Sequence, residues 1–331
     1  MRIDSSAPTR IDLAGGTLDI WPLYLFHEHA QTLNAAISLR AHCSIRARSD
    51  ARVRLVSEDT GVEVEADGWQ GLDVSGALPL LARLVHYFKV SGADIVTRSE
   101  SPFGAGIAGS SALNVAVAGG LAAFTDREIA AEALLAIAMN VEAQVISVPT
   151  GAQDYRPAYY GGVSSVKLSI DGVRRVPLEL DPQELESRLV LAYTKASRNS
   201  GINNWDVMKR HIDGDAEVIA CFARIRDIAV AMRDALARGD WPDVGRQLQL
   251  EWANRKRLAP GVTTPDIDRM IGAAESAGAL GAKVCGAGGG GCLFCFADPG
   301  DVPAVREALA ANGADILDFH LEQQGLRITR P

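Results

Sequence analysis

One stretch of the chain, SPFGAGIAGSSALNVAVAGGL at residues 101–121, constrains the fold more than any other. A proline and a glycine-rich turn lead into two serines, and a run of small apolar residues without proline follows. Glycines let a backbone approach a ligand closely and adopt positive φ. The apolar run is typical of a buried helix, whose first N–H groups lack intrahelical partners and attract anions. The stretch therefore predicts a phosphate-binding loop at a helix N-terminus or, alternatively, an ordinary capped helix after a flexible loop.

Two common glycine-rich motifs do not match this stretch. No lysine follows its last glycine, so it is not a Walker A loop. Its glycine spacing also differs from that of the dinucleotide-binding fingerprint. A serine in the first helical turn, Ser110 or Ser111, could cap the helix or bind Mg²⁺.

The composition argues against several classes of partner. A net charge of −8 over 331 residues gives an acidic average surface, which disfavours nucleic acids and anionic membranes. Cys292 and Cys295 lie in an apolar strand pattern that would point their side chains to opposite faces, so no zinc or redox motif is expected there. No segment has the apolar length of a signal or membrane-spanning sequence, which predicts a cytoplasmic protein.

Hydrophobic periodicity predicts an α+β fold, because helices and strands mix without strict alternation. Asp181 is a candidate helix N-cap in a polar connector, and we expect the domain boundary there, with domains at residues 1–180 and 181–331. Helices are predicted at residues 78–90, 129–145, 216–238, 241–258, 265–277 and 303–311, and strands at 44–49, 52–57, 93–97, 162–168, 173–180, 189–194 and 316–320.

Three ordered motifs give the chain a resemblance to a known family. PFGAGIAGSSA resembles the second motif of the GHMP kinases, P-x-G-x-G-L-G-S-S-A. APTRIDLAGGTLD near the start and KVCGAGGGGCLFCF near the end resemble the family's first and third motifs. The resemblance implies a two-domain GHMP kinase fold, with an S5 domain 2-like N-terminal domain that binds the nucleotide, a ferredoxin-like C-terminal domain, and a cleft between them.

The resemblance also implies a nucleotide site and a metal site, and hence ATP and Mg²⁺ as cofactors. Ser111 and Glu142 would hold the metal, since mevalonate kinases have a metal-binding glutamate at about the position of Glu142; alternatively, Glu142 is a solvated helix charge. The implied nucleotide-binding residues are Pro102, Gly104, Ala105, Gly106, Ile107, Ala108, Gly109, Ser110, Ser111, Gly288 and Gly289.

Asp154 is the candidate catalytic base, and Arg10 its electrostatic partner. The segment TGAQD resembles the aspartate loop of the family, and a carboxylate there could accept a proton from a substrate hydroxyl. Arg10 aligns with a galactokinase arginine, and a cation beside Asp154 would stabilise charge on the transferring phosphoryl group. The alternatives are an Asx-turn residue for Asp154 and a solvated strand arginine for Arg10.

The first motif also carries the candidate substrate-binding residues. Asp19 matches a galactokinase aspartate that holds sugar hydroxyls, although it could be a simple loop carboxylate. Gly16 and Thr17 replace the Glu-His pair of galactokinases, which counts against galactose as the substrate. We expect Gly16, Thr17 and Asp19 to contact the acceptor.

The D-glycero-D-manno-heptose 7-phosphate kinases are the branch of the family that the chain resembles more closely. Their first motif, R-I-S-F-A-G-G-G-T-D, aligns with residues 10–19 without a gap. YTKASR resembles their Y-T-G-I-S-R, and this match implies that Ser197 and Arg198 bind a substrate phosphate, for which arginine offers a planar fork. Alternatively, Arg198 is a surface residue.

The resemblance therefore predicts an ATP- and Mg²⁺-dependent kinase acting on a sugar or sugar phosphate. The leading candidate reaction is phosphorylation of heptose 7-phosphate at its anomeric hydroxyl. One alternative is another GHMP kinase, acting on a different sugar or on a mevalonate-type alcohol. A second is a GHMP-fold sugar sensor without turnover, which an intact set of Arg10, Ser111 and Asp154 disfavours.

Overall fold

Two β-sheets organise the chain, whose computed structural model describes residues 1–196 and 200–330. The first sheet consists of β1 (Arg2–Ala14), β2 (Gln31–Ala47), β3 (Val53–Ser57), β4 (Val62–Ala66), β5 (Ala93–Ser99), β6 (Val163–Ser169), β7 (Gly172–Pro177) and β12 (Arg327–Thr329). The second consists of β8 (Leu189–Tyr193), β9 (Ala279–Val284), β10 (Cys292–Ala297) and β11 (Asp315–Leu317). The order in the first sheet is β12-β1-β2-β5-β3-β4, with β6 paired to β2 and β7 to β6; the order in the second is β11-β8-β10-β9.

Helices cover both sheets. They are α1 (Pro79–Phe88), α2 (Gly109–Phe124), α3 (Ala131–Ile146), α4 (Tyr155–Tyr160), α5 (Pro182–Glu186), α6 (Ser200–Ile212), α7 (Ala216–Arg238), α8 (Trp241–Leu258), α9 (Pro265–Ser276) and α10 (Val302–Ala311). On the first sheet α2 packs against β1 and β2, and α1 and α3 both contact α2. α7 and α8 pack on one another and contact β1, while α8 and α9 also contact β9. None of the helices in the described part of the chain has the length and apolar character needed to cross a bilayer.

A continuous apolar core joins the two sheets. One buried cluster includes Ile11 of β1, Met232 of α7, and Phe294 and Phe296 of β10. Alternation along β10 sends Cys292, Phe294 and Phe296 to this cluster, whereas Leu293 and Cys295 enter a second cluster beneath α7 and α9. The expectation that Cys292 and Cys295 face opposite ways is therefore confirmed.

The α+β prediction is confirmed, and α7 and α8 have the predicted bounds. Asp181 caps α5 by accepting a hydrogen bond from the Gln183 N–H at 2.9 Å. The strand predicted at residues 316–320 is present as β11, but it ends at Leu317, and it is not the last strand, because β12 follows it and pairs with β1 in the first sheet. All three residues of β12 are exposed, so no hydrophobic pattern marks it. The domain boundary near residue 180 stays a prediction.

Two irregularities in β1 position the first motif. β1 pairs antiparallel with β2, and its register shifts between Pro8 and Thr9 and between Asp12 and Ala14. Proline cannot donate a hydrogen bond to the sheet, and such shifts re-aim nearby side chains. Between the two shifts, the Arg10 N–H donates to the Ile107 carbonyl at 3.0 Å, which ties β1 to the loop before α2.

The start of α2 carries a strained residue. Ala108 precedes the helix with φ of 63°, in the left-handed region, where the motif that the chain resembles has glycine. The next position, serine in that motif, is Gly109, and a Cβ there would collide with the Ser101 hydroxyl. Where the motif has Gly-Ser, this chain therefore has Ala108-Gly109. Glycine at position 109 avoids the close contact with Ser101, and alanine at position 108 remains in the strained left-handed conformation.

Ala108→Gly should stabilise the protein by about 1 kcal/mol, since glycine adopts the left-handed conformation without a Cβ clash. The measurement is the free energy of unfolding in urea. The matched control is Ala112→Gly in the same helix, which should destabilise the protein by about 1 kcal/mol or more, because a helical interior disfavours glycine. Equal losses in both variants would contradict the assignment of strain to Ala108.

Candidate active site

A cavity of about 430 Å³ opens where the first motif, the loop before α2 and the end of β9 meet. It is lined by residues from both halves of the chain, including Asn204 of α6 and Arg255 of α8. Thirteen residues predicted from the sequence line it: Arg10, Thr17, Asp19, Pro102, Gly104, Ala105, Gly106, Ala108, Gly109, Ser110, Ser111, Glu142 and Asp154.

Some predicted residues lie behind the cavity wall. The Gly16 carbonyl accepts a hydrogen bond from Arg255 Nη1 at 2.8 Å, and Ile107 is fully buried. Gly288 and Gly289 pack against Val262, whose carbonyl accepts a hydrogen bond from the Gly289 N–H at 2.7 Å. The nucleotide-binding roles of Ile107, Gly288 and Gly289 stay predictions.

Two predicted phosphate ligands, Ser197 and Arg198, lie outside the described residues. Their assignment to a substrate phosphate therefore rests on the sequence motif alone.

Arg10 and Asp154 meet at the cavity. Arg10 Nη2 and Nε donate to the same oxygen, Asp154 Oδ1, at 2.6 and 3.0 Å, and Arg10 Nη1 donates to the Gly106 carbonyl at 3.0 Å. The Asp154 side chain is 23% exposed. Within residues 1–196 and 200–330, no group bonds to Asp154 Oδ2, so this oxygen is available to a ligand in the cavity.

Burial alone would lower the pKa of Arg10, but the carboxylates of Asp154 and Asp12 outweigh it and raise this pKa. The guanidinium therefore stays charged although Arg10 is only 2% exposed. A permanent cation between two acids fixes the orientation of both carboxylates.

Asp19 is a buried carboxyl group at the same cavity. Its Oδ2 accepts a hydrogen bond from the Gln153 N–H at 2.8 Å. Burial, together with repulsion from Asp154, raises the pKa of Asp19 to about 6. Its second oxygen, Oδ1, is buried and has no hydrogen-bond partner within the described chain.

A polar cluster lies at the start of α2. Glu142 Oε2 accepts hydrogen bonds from Ser111 Oγ at 2.9 Å and from Tyr155 Oη at 2.6 Å, and Tyr155 Oη lies 3.1 Å from Thr150 Oγ1. Burial raises the pKa of Glu142, although the hydroxyl donors oppose this effect. Ser111 and Glu142 thus converge, and their role as metal ligands stays a prediction.

A fully buried ionic network stands behind the cavity. Lys283 Nζ donates to Asp12 Oδ2 at 2.8 Å and to the Asp12 carbonyl at 3.0 Å, and it lies 3.7 Å from Glu251 Oε1. The side chains of all three residues are 0% exposed. Burial would raise the pKa of Asp12, but Lys283 and Arg10 lower it to about 2.

Arg255 joins the loop of the first motif to that of the third. Its Nη1 donates to the Gly16 carbonyl at 2.8 Å, and its Nη2 donates to the Gly286 carbonyl at 2.6 Å and to Thr17 Oγ1 at 3.4 Å. A Cβ on Gly16 would come within 2.8 Å of Arg255 Nη1 and 2.9 Å of Asp12 Oδ2. Glycine at position 16 therefore lets the Arg255 and Asp12 side chains keep these positions.

The third motif and the end of β8 both form hydrogen bonds with the loop before α2. The Cys292 N–H donates to the Ala105 carbonyl at 2.6 Å, and Tyr193 Oη donates to the Phe103 carbonyl at 3.2 Å. A Cβ on Gly291 would collide with the backbone of Ala105. Close backbone approach between the two loops is thus the reason for glycine at position 291.

The sequence motifs alone predict no role for Asp12, Gln153, Lys283 or Arg255. A signal existed for Asp12 and Lys283, because each is a single charged residue among apolar neighbours, in IDLA and GAKVC. Buried charges are almost always paired. The sequence could not show that these two residues pair with each other across 271 positions.

Comparison with known proteins places these features in a family. The model of the GHMP kinases N terminal domain matches residues 74–162, and that of the GHMP kinases C terminal region matches residues 232–315. The chain belongs to the GHMP kinase family. Between them, the matched segments include the loop before α2, Glu142, Asp154, Arg255 and the glycine loop of the third motif.

Similar proteins cover this GHMP kinase from end to end. A D-glycero-alpha-D-manno-heptose 7-phosphate kinase from Campylobacter jejuni subsp. jejuni is 29% identical over 340 residues, covering 99% of both chains. A mevalonate kinase from Thermococcus sibiricus is 25% identical and covers 99% of this chain and 98% of its own. A crystal structure of a D-glycero-D-manno-heptose 1-phosphate kinase from Bacteriodes thetaiotaomicron has a TM-score of 0.80 at 23% identity, covering 99% of both chains.

The predicted family and fold are thereby confirmed, as is the predicted class of enzyme. This GHMP kinase is a phosphotransferase that acts on an alcohol group, as its kinase relatives do.

Lys283→Met should destabilise this GHMP kinase by about 3–5 kcal/mol, because it leaves Asp12 as a buried charge without its main partner. The free energy of unfolding in urea measures the loss. The control is the double variant Asp12→Asn with Lys283→Met, which should lose less than Lys283→Met alone. A double variant at least as unstable as the single one would show that the buried charge is not the cause.

Asp19→Asn should stabilise the fold above pH 6 and have little effect below pH 4. Folding raises the pKa of Asp19 from 3.8 to about 6, so its contribution to stability is present below pH 3.8 and is lost as the pH rises through 6. Above pH 6, the free energy of unfolding of Asp19→Asn should therefore exceed that of the wild-type protein by about 3 kcal/mol. Urea unfolding of both proteins at pH 4 and pH 8 measures it.

Asp67→Asn serves as the control, since the Asp67 side chain is fully exposed and should show no such difference between the two pH values. A gain of the same size for Asp19→Asn at both pH values would refute the assigned pKa.

Proposed function

We propose that this protein transfers the γ-phosphoryl group of ATP to the anomeric hydroxyl of D-glycero-D-manno-heptose 7-phosphate. The observation that carries the proposal is the contact of Arg10 with Asp154 at 2.6 Å, in a cavity that the loop before α2 also lines. The substrate is supported by the Campylobacter jejuni relative named for heptose 7-phosphate, which matches both chains over 99% of their length. The reaction would take place in the cytoplasm, where ATP is available.

The loop before α2 would cradle the nucleotide phosphates. The first N–H groups of an α-helix have no intrahelical partners and, with the helix dipole, attract anions. Gly104 and Gly106 have φ of 67° and 74°, which only glycine adopts readily, and both line the cavity. The glycines let the backbone turn tightly beside the helix N-terminus.

Ser111 and Glu142 would hold Mg²⁺. A hydroxyl and a carboxylate are hard oxygen ligands, and Mg²⁺ commonly binds through one or two carboxylates together with substrate phosphates. The two side chains are 2.9 Å apart, and Glu142 is a buried acid whose charge a divalent cation would stabilise. The described residues contain no cluster of three or more His, Cys, Asp or Glu suited to a metal, so phosphate oxygens would complete the site. When bound, the ion would neutralise charge on the phosphates.

Asp154 would orient the attacking hydroxyl and accept its proton. Arg10 holds Asp154 Oδ1, which leaves Oδ2 for the hydroxyl. The positive charge of Arg10 would also stabilise the negative charge that develops on the transferring group. Phosphoryl transfer depends mainly on such positioning and charge neutralisation.

Other residues would bind the acceptor away from its reacting oxygen. Asp19 Oδ1 is a buried acceptor without a partner in the described chain, and a sugar hydroxyl would satisfy it. Gly16 and Thr17 would shape the same end of the site. Ser197 and Arg198 would bind the 7-phosphate, on the strength of their sequence motif.

A coupled ADP-release assay over a panel of acceptors tests the proposal. ADP release with heptose 7-phosphate supports the proposal. ADP release only with a free sugar or with mevalonate would contradict it and assign the protein the activity of another branch of the family. The T. sibiricus mevalonate kinase, at 25% identity, is the reason to include mevalonate. Sugar binding without ADP release would indicate a sensor.

Asp154→Asn should keep the affinity for ATP and lose turnover by about 100-fold or more, since the amide cannot accept the proton. Calorimetric titration with a non-hydrolysable ATP analogue and the ADP-release assay measure the two effects. The exposed Asp67→Asn variant should keep both properties. A normal rate in Asp154→Asn would remove Asp154 from the mechanism.

A further inference from the structure

Two buried acceptors at the cavity lack hydrogen-bond partners within the described residues. They are Asp19 Oδ1 and Gln153 Oε1, and both side chains line the cavity. Asp19 is 2% exposed and Gln153 is 6% exposed, so neither is an ordinary surface group. Leaving a buried acceptor unpaired costs free energy, which a ligand with matching donors would recover.

The main chain holds the two side chains together. The Gln153 N–H donates to Asp19 Oδ2 at 2.8 Å, which leaves Asp19 Oδ1 and the whole Gln153 amide group for other partners. Gln153 also directly precedes Asp154, whose Oδ1 is fixed by Arg10. The two acceptors and the proposed base therefore form one contiguous surface.

Gly16 lies next to the Gln153 amide. A Cβ on Gly16 would lie 3.4 Å from Gln153 Nε2 and 2.8 Å from Arg255 Nη1. A longer side chain at position 16 would thus compete with the amide for the same space. The Arg255 guanidinium already donates to two carbonyls, whereas Gln153 Oε1 has no partner within the described residues.

We propose that Gln153 is a specificity-determining residue, and that it binds one acceptor hydroxyl while Asp19 binds another. The site would then select polyols such as sugar phosphates over analogues that lack the matching hydroxyl. An amide both donates and accepts hydrogen bonds, so it can bind a hydroxyl group. A substrate analogue with an apolar group in place of that hydroxyl would leave the amide unpaired. The inference rests on the proposed function, because it takes the acceptor to lie beside Asp154.

The test is Gln153→Met, which keeps the size of the side chain and removes its amide. The KM for D-glycero-D-manno-heptose 7-phosphate should rise by about 10- to 100-fold, with an unchanged KM for ATP. Stability in urea should be equal or higher, since a buried amide without a partner is removed. A purely structural role would instead lower stability and raise both KM values.

Gln31→Met is the matched control. Gln31 is also a buried glutamine, at 2% exposure, but its Oε1 accepts a hydrogen bond from Ser165 Oγ at 2.8 Å. This variant should lose stability and keep both KM values.

Single-deoxy analogues of the sugar phosphate identify the hydroxyl. For one analogue, the kcat/KM of the wild-type protein should be about 10- to 100-fold lower than for the parent sugar phosphate. In Gln153→Met the same analogue and the parent sugar phosphate should have equal kcat/KM values. This difference between the two proteins is the coupling that a double-mutant cycle measures. An unchanged KM in Gln153→Met, or equal losses for every analogue in both proteins, would overturn the inference and leave the proposed function intact.

Failure of the proposed function gives a different result. If the wild-type protein phosphorylates another sugar, the proposed substrate is wrong, and the same cycle run with that sugar still decides the role of Gln153. If the wild-type protein accepts only non-sugar alcohols, both proposals are overturned.

Discussion

The buried ion pair between Asp12 and Lys283 is the interaction on which the active-site geometry depends. It joins β1 of the first sheet to β9 of the second, with both side chains fully buried. A buried pair is tolerable only when its remaining polar atoms are satisfied. Here Asp12 Oδ1 accepts a further hydrogen bond from the Gly286 N–H at 3.0 Å. The glycine loop of the third motif is therefore held by the same carboxylate that joins the sheets.

From this pair, charges of alternating sign lead to the cavity. Lys283 faces Asp12, Arg10 Nη1 lies 3.5 Å from Asp12 Oδ1, and Arg10 in turn holds Asp154. The exposed fraction of the side chain rises along the series, from 0% for Asp12 to 3% for Arg10 and 23% for Asp154. Interactions between charges strengthen as water is excluded. The position of the one partly exposed member, Asp154, is thus set by groups that solvent does not screen.

Local patterns in the sequence predicted the elements that carry a strong period, and missed those that depend on distant partners. α7 has a long apolar stripe, and its bounds were predictable; α4 is a six-residue helix in a segment of turn residues and aromatics, and β12 has no buried residue. The motifs likewise identified the loop that lines the cavity. They could not reveal that Arg255, from the last turn of α8, binds the Gly16 and Gly286 carbonyls, because such contacts leave no local trace.

Three departures from low-energy local structure lie at the cavity. Thr17 is β-branched yet has φ of 76°, Ala108 has φ of 63°, and Asp19 keeps an unpaired buried oxygen. Each is unfavourable for folding, and such features persist where the surrounding structure enforces them. Behind them the central ion pair is well supported: Asp12 uses both carboxylate oxygens, and Lys283 is fully buried beside two acids. A buried, paired Asp12–Lys283 support behind an incompletely paired cavity surface is the arrangement expected of a site whose missing hydrogen-bond partners belong to its ligands.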